Sequence, residues 1–109
     1  MLDTSVLSSV ATQLMASDDV ELQGQRLHVR RTSGQRLRML TFTLGGRQFA
    51  AIEQNPTKPS RWGQLARSGH QVVQFKDVAS NRFVAVAVDG QVKEYGGEKS
   101  RRQPGAEVS

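Results

Sequence analysis

Arg26, His28 and Arg30 alternate on one side of Thr32-Ser33-Gly34, and Arg36 and Arg38 alternate on the other. Alternate residues of a strand share a face. A hairpin through this turn therefore gathers the cations on one side, with Leu27, Val29, Leu37 and Met39 on the other. A three-residue loop at Thr32–Gly34 pairs Arg30 with Arg36 and His28 with Arg38, Val29 with Leu37, and Leu27 with Met39. A two-residue turn at Ser33-Gly34 instead pairs Arg30 with Leu37 and mixes the faces. Register follows the pattern that buries one face cleanly, which favours the three-residue loop. Like charges directly opposite one another destabilise a sheet, so this ladder asks for an anion or for acidic side chains. The planar fork of arginine suits phosphate.

The charge of the chain is unevenly distributed. Residues 1–21 hold Asp3, Asp18, Asp19 and Glu21 and no Lys or Arg; residues 22–76 hold ten Lys and Arg and one acid, Glu53; residues 77–109 balance. The net charge is +5. The basic block is a candidate anion-binding surface, and Arg26, His28, Arg30, Arg36 and Arg38 are its candidate residues. The competing reading is that Asp18, Asp19 and Glu21 fold back and neutralise it.

Catalysis finds little support. The imidazoles are His28 and His70. His28, read among arginines, is a poor base, and His70 follows a helix cap where an exposed loop histidine is usual. No Gly-x-Ser-x-Gly elbow is present. The histidines and carboxylates lack metal-ligand spacing, and Gly45-Gly46 lacks the helix that follows a phosphate loop. The chain has no cysteine, which removes disulfides, thiolate metal sites and thiol catalysis. The expectation is a non-enzyme with no catalytic residue, metal or cofactor. Trp62 shares a helical face with Leu65 and Ala66, so it reads as core; its alternative is a base-stacking platform flanked by Arg61 and Arg67.

The elements that would carry these residues follow from periodicity. Val6, Val10 and Leu14, with Leu7, Ala11 and Met15 beside them, predict an amphipathic helix over 4–16, capped by Asp3 or Thr4 and ending near Ser17. Strands are predicted at Arg26–Arg30, Arg36–Leu44 and Arg47–Glu53, the last two joined at Gly45-Gly46. Asn55–Ser60 breaks the sheet, and Ser60 caps a short helix, Arg61–Ser68, with Gly69 just past its end. Val72–Lys76 and Arg82–Val88 form a hairpin, and Asp89-Gly90 turns into Gln91–Tyr95. The fold class is α+β, an antiparallel sheet of about six strands with two helices in the order α-βββ-α-βββ. Residues 1–95 form one domain, and Gly96–Ser109 reads as a disordered polar tail. One conflict remains: Leu40, Phe42 and Leu44 carry the parity of Arg36 and Arg38. Either a bulge near Met39-Leu40 flips the strand, or that end is buried on both faces beneath the first helix. The stretch from Arg36 to Arg47 also echoes the one from Arg82 to Gln91, as a duplicated half or as ordinary hairpin grammar.

The run Asn55-Pro56…Lys58-Pro59-Ser60-Arg61-Trp62…Leu65-Ala66-Arg67…Gly69-His70…Val73-Gln74-Phe75-Lys76-Asp77 resembles a family of short bacterial proteins with no named activity. The resemblance covers roughly a fifth of the chain and implies no functional residue. No apolar run nears the roughly 20 residues that span a bilayer, and no basic segment precedes the first apolar residues; the expected location is cytoplasmic, with no membrane partner. The function expected is a binding module whose basic sheet face meets an anionic macromolecule, nucleic acid first. RNA-binding sheets interleave aromatics with their cations, and none are read on this face. The alternative is a protein-interaction or homo-oligomeric module using a sheet edge or the apolar surplus at Leu40-Phe42-Leu44.

Overall fold

A computed structural model of the chain describes residues 2–95; the tail expected from Gly96 lies outside them. Helix α1 spans Thr4–Ala16, and the Asp3 carboxylate accepts the Val6 N–H at 3.3 Å, filling one of the donor positions that a helix start leaves open. Leu7, Val10, Ala11 and Leu14, three and four apart, are its buried stripe. It ends as expected at Ser17, which is extended and whose N–H still reaches the Gln13 carbonyl at 2.9 Å.

Two strands follow where none and one were expected. β1 (Asp19–Leu22) and β2 (Gln25–His28) form a separate antiparallel ribbon. Gln23-Gly24 turns it with both residues at positive φ, +50° and +82°, the backbone of a two-residue hairpin. The cross-strand neighbours of β2 are Asp19 for His28, Val20 for Leu27 and Glu21 for Arg26.

This corrects the expected arginine hairpin. The Val29 N–H donates to the Asp18 carbonyl at 2.8 Å, extending the ribbon by one residue, and its side chain is buried, so Arg26 to Val29 are committed to β1 and not to the strand downstream. β3 is only Arg30–Arg31, and it meets β4 (Arg38–Leu44) with Arg30 opposite Met39 and Arg31 opposite Arg38. The loop is therefore Thr32–Leu37 and not three residues. Thr32 closes it: its N–H donates to the Leu37 carbonyl at 2.9 Å, and its hydroxyl accepts the Leu37 N–H at 3.0 Å. Arg36 sits inside the loop at φ +56°, not on a strand.

β4 opens a six-stranded antiparallel sheet with β5 (Arg47–Glu53), β6 (Val72–Asp77), β7 (Arg82–Val88) and β8 (Gln91–Glu94). Its order is β3-β4-β5-β6-β7-β8. Helix α2 (Arg61–Arg67) interrupts it after β5, with the Ser60 hydroxyl accepting the Gly63 N–H at 3.1 Å. The class is α+β as expected, with five strands rather than three before α2.

The inner face of the sheet lies under α1. Leu40, Phe42, Phe49, Ala51, Val73, Phe75, Ala85 and Ala87 join the α1 stripe and Val20 and Leu22 of the ribbon in one buried cluster. Phe42 packs edge-on against Phe75, centroids 6.3 Å apart, a favoured aromatic geometry. The parity conflict is thereby resolved without a bulge in β4: Leu40 and Phe42 face α1, and Arg38 faces it with them. The register shift falls instead between Phe75 and Lys76, against β7.

The outer face is covered in part by α2, which adds nothing to that cluster. Gln54 and Gln74 hydrogen-bond at 2.7 Å, and the Tyr95 hydroxyl donates to Gln74 at 2.7 Å. Burial pushes the Tyr95 phenol up, partly offset by a hydrogen bond with Trp62. Trp62 is therefore half-buried between α2 and the sheet, closer to the packing reading than to a free platform, with Arg61 across its ring at 5.5 Å. The two stretches that echo one another both fold as a seven-residue strand, a two-residue turn at positive φ and a following strand, β4–β5 and β7–β8.

Candidate anion-binding surface

The five expected cations do not form one face. Arg26 Nε lies 3.1 Å from Glu21 Oε2, and that carboxylate raises the arginine further above its ordinary value. His28 Nδ1 lies 3.3 Å from Asp19 Oδ1; its charged neighbour is an acid, not an arginine. Arg38 turns inward and donates through Nη1 to the Leu14 carbonyl at 3.0 Å and the Ser17 carbonyl at 3.1 Å, with Asp18 at 3.9 Å. Carbonyls at a helix C-terminus carry partial negative charge and lack partners, and Arg38 supplies the cation. The acids of the first segment thus do fold back, onto three of the five.

Arg30 and Arg36 remain, and Arg31 joins them. All three are exposed, and none forms an ion pair among the described residues. The Arg31 guanidinium donates to the Arg36 carbonyl at 3.1 Å, which holds it across the loop. By register Arg31 lies opposite Arg38, on the other face from Arg30, and is exposed at the edge of the sheet.

Charge is also sorted between the faces of the large sheet. By register, Glu53, Asp77 and Glu94 share the inner parity with Phe49, Phe75 and Ala85. Arg47 meets Asp77 there at 2.5 Å, and this contact, with the Ser80 N–H, holds the carboxyl below its ordinary value. On the outer parity lie Arg30, Lys76 and Lys93, opposite Met39, Phe83 and Val86, and no carboxylate of these strands. Phe83 is 46% exposed, and Lys76 Nζ stands 5.1 Å from its ring centroid. Such a contact at an exposed site is worth about 0.5–1 kcal/mol. An aromatic beside a cation on the outer face was not read from the sequence, because a register shift at Phe75/Lys76 is what brings Phe83 opposite Lys76.

Open clefts flank this surface. One of about 460 Å³ lies between the ribbon and β4, lined by Leu27, His28, Arg30, Met39, Thr41 and Gln48. A second, of about 210 Å³, includes Met15, Glu53 and His70. His70 Nδ1 lies 2.6 Å from Asp89 Oδ2, and the other oxygen of Asp89 accepts the Gln71 N–H at 2.9 Å. Those hydrogen bonds, the backbone one first, hold the Asp89 carboxyl low. No hydroxyl hydrogen-bonds to His70 among the described residues, so the pair reads as a clamp on the Asp89-Gly90 turn. No group of three His, Asp or Glu among the described residues could hold a metal, and no described helix is long and apolar enough to cross a membrane. No protein-family model, curated protein or solved structure matches the chain.

Proposed function

We propose that the protein is a non-enzymatic binding module for an anionic macromolecule, with nucleic acid the first candidate. The observation that carries this is the β3–β4 hairpin, where Arg30, Arg31 and Arg36 are all exposed and none has an acid partner among the described residues. Arg26 and Arg38 are engaged by an acid and by helix carbonyls; among the described residues Arg31 is tied only to the Arg36 carbonyl of its own loop, and Arg30 and Arg36 have no side-chain partner that would account for them. Their forks match phosphate oxygens, and the carboxylate-free outer face continues the surface from Arg30 towards Lys76.

The test is anisotropy of labelled single- and double-stranded oligonucleotides across a salt series. Replacing Arg30, Arg31 and Arg36 with Gln should weaken binding and flatten the plot of log affinity against log salt by roughly one unit for each phosphate left without its cation. Binding of neither strand type by the parent protein would refute the nucleic-acid reading.

A second reading, self-association, draws support from the edges of the sheet. β3 covers only Arg38 and Met39 of β4, and β8 is the outermost strand on the far side. Unpaired edges are templates for another strand. Mass measurement by light scattering at several concentrations separates the two, because a paired edge gives a dimer that salt does not dissolve.

A further inference from the structure

We propose that the half of the outer sheet face left bare by α2 is a single-strand site, in which an unpaired base stacks on Phe83, Lys76 takes the adjoining phosphate, and Arg30, beyond the far end of the row, takes one further along the strand. The inference rests on the anion-binding reading above and names its ligand class.

Three observations converge on it. The first is the row Thr41, Ala50, Lys76 and Phe83, which lie side by side across β4, β5, β6 and β7 on the outer parity. At about 4.8 Å per strand the row runs roughly 14 Å, enough for a short stretch of extended backbone. Ala50 in its middle is only 8% exposed, sunk between taller neighbours, so its methyl does not stand up into the path of a ligand. The second is polarity. Arg30, Lys76 and Lys93 share this face with no carboxylate from its strands, while every acid of β4–β8 is turned to the inner side. An acidic protein partner would suit the charge but would leave Phe83 unexplained; a flat ring 46% exposed beside a lysine matches the pairing of π-face and cation on which single strands are held.

The third observation bears on single strand against duplex. Reading a duplex groove calls for a helix or ribbon that presents its side chains outward. α1 has no basic residue in its last turn and exposes Ser5, Ser9 and Thr12. α2 is seven residues long, and its Arg67 is committed to the Pro56 and Lys58 carbonyls. Neither helix has a row of free cations. Lys76, now over the ring, is a long flexible side chain that yields the π-face to a base and moves to the adjoining phosphate.

The experiment uses the full chain with labelled oligothymidylate and oligouridylate of about twelve nucleotides, and a duplex of equal length. Phe83→Ala should weaken single-strand binding roughly 5- to 150-fold, while Phe83→Tyr keeps the ring and restores it. Lys76→Gln should lower the salt slope by about one. Circular dichroism checks that each variant is folded; the exposed position of Phe83 leaves the core untouched. Single-strand binding that survives Phe83→Ala but is abolished when Arg30, Arg31 and Arg36 are replaced overturns the stacking site and leaves the anion-binding reading standing. Tighter binding of duplex than of single strand does the same. Absence of binding to either oligonucleotide sinks both. Conversion of a dimer to a monomer by Phe83→Ala would assign the face to a second copy of the chain and overturn the proposal.

Discussion

Arg38 Nη1 lies 3.0 Å from the Leu14 carbonyl and 3.1 Å from the Ser17 carbonyl, so the first residue of β4 closes the helix that lies across its strand. The contact joins an electrostatic role to a topological one, because it fixes the end of α1 over the edge of the sheet. It also removes this arginine from the surface on which a ligand could meet it.

The first prediction follows. Arg38→Met keeps the aliphatic stem and removes the charge, leaving helix carbonyls without a donor. Unfolding in urea should show a loss of about 1–2 kcal/mol, the scale of charged hydrogen bonds at a partly buried helix end. Arg30→Gln and Arg36→Gln, which break nothing in the fold, should each stay within about 0.5 kcal/mol of the parent. Equal effects at all three positions would contradict the division of these arginines into structural and free.

A second prediction concerns Gly63 in α2. A Cβ placed there would overlap the Lys58 carbonyl, which is backbone and held in place by Arg67. Helix propensity alone favours alanine by about 1 kcal/mol; the clash reverses that sign. Gly63→Ala should destabilise by about 1–3 kcal/mol, read as a lowered melting temperature. A stabilised variant would show that the Asn55–Ser60 segment can move away.

The third prediction is a pH dependence. Asp77, held low chiefly by Arg47, and Asp89, held low chiefly by the Gln71 N–H, are both depressed in the folded protein. A depressed carboxylate contributes stability that is fully present above its unfolded value and is lost as pH falls through its folded value. Melting temperature should therefore be flat above about pH 5 and fall below about pH 4, near the ordinary carboxylate value. Asp77→Asn should lower the melting temperature at neutral pH and make the acid fall shallower. An unchanged acid limb in that variant would show that Asp77 does not drive it.

Local signals were legible in the sequence and long-range ones were not. Asp3, the Leu7–Leu14 stripe and Ser17 mark α1, and Gly45-Gly46 and Asp89-Gly90 mark their turns at positive φ, because caps and tight turns are decided by neighbouring residues. The ribbon was missed although Val20 and Leu22 alternate with Asp19 and Glu21 ahead of Gln23-Gly24. Those acids read as a neutralising reserve, which they are for His28 and Arg26, while their strand went unseen. Once β1 is overlooked, β2 has only the downstream strand to pair with, and the arginines line up. The pattern of alternation specifies which face a residue takes; it does not name the partner strand. Opposite charges at Glu21 and Arg26, and at Asp19 and His28, do name it.

The position of α1 across the inner face has a bearing on how the chain comes into being. The Ser8 hydroxyl of α1 donates to the carbonyl of Gly90 at 2.5 Å, across nearly the whole described length. Every neighbouring pair of strands in the large sheet is consecutive in sequence, so the meander can zip up hairpin by hairpin as it leaves the ribosome. α1 cannot take part. It precedes every strand, yet the inner face it covers is incomplete until β7 and β8 follow, and synthesis at about 5–20 residues per second keeps part of its apolar stripe waiting for several seconds. A helix made before every strand completes its packing only with the last of them.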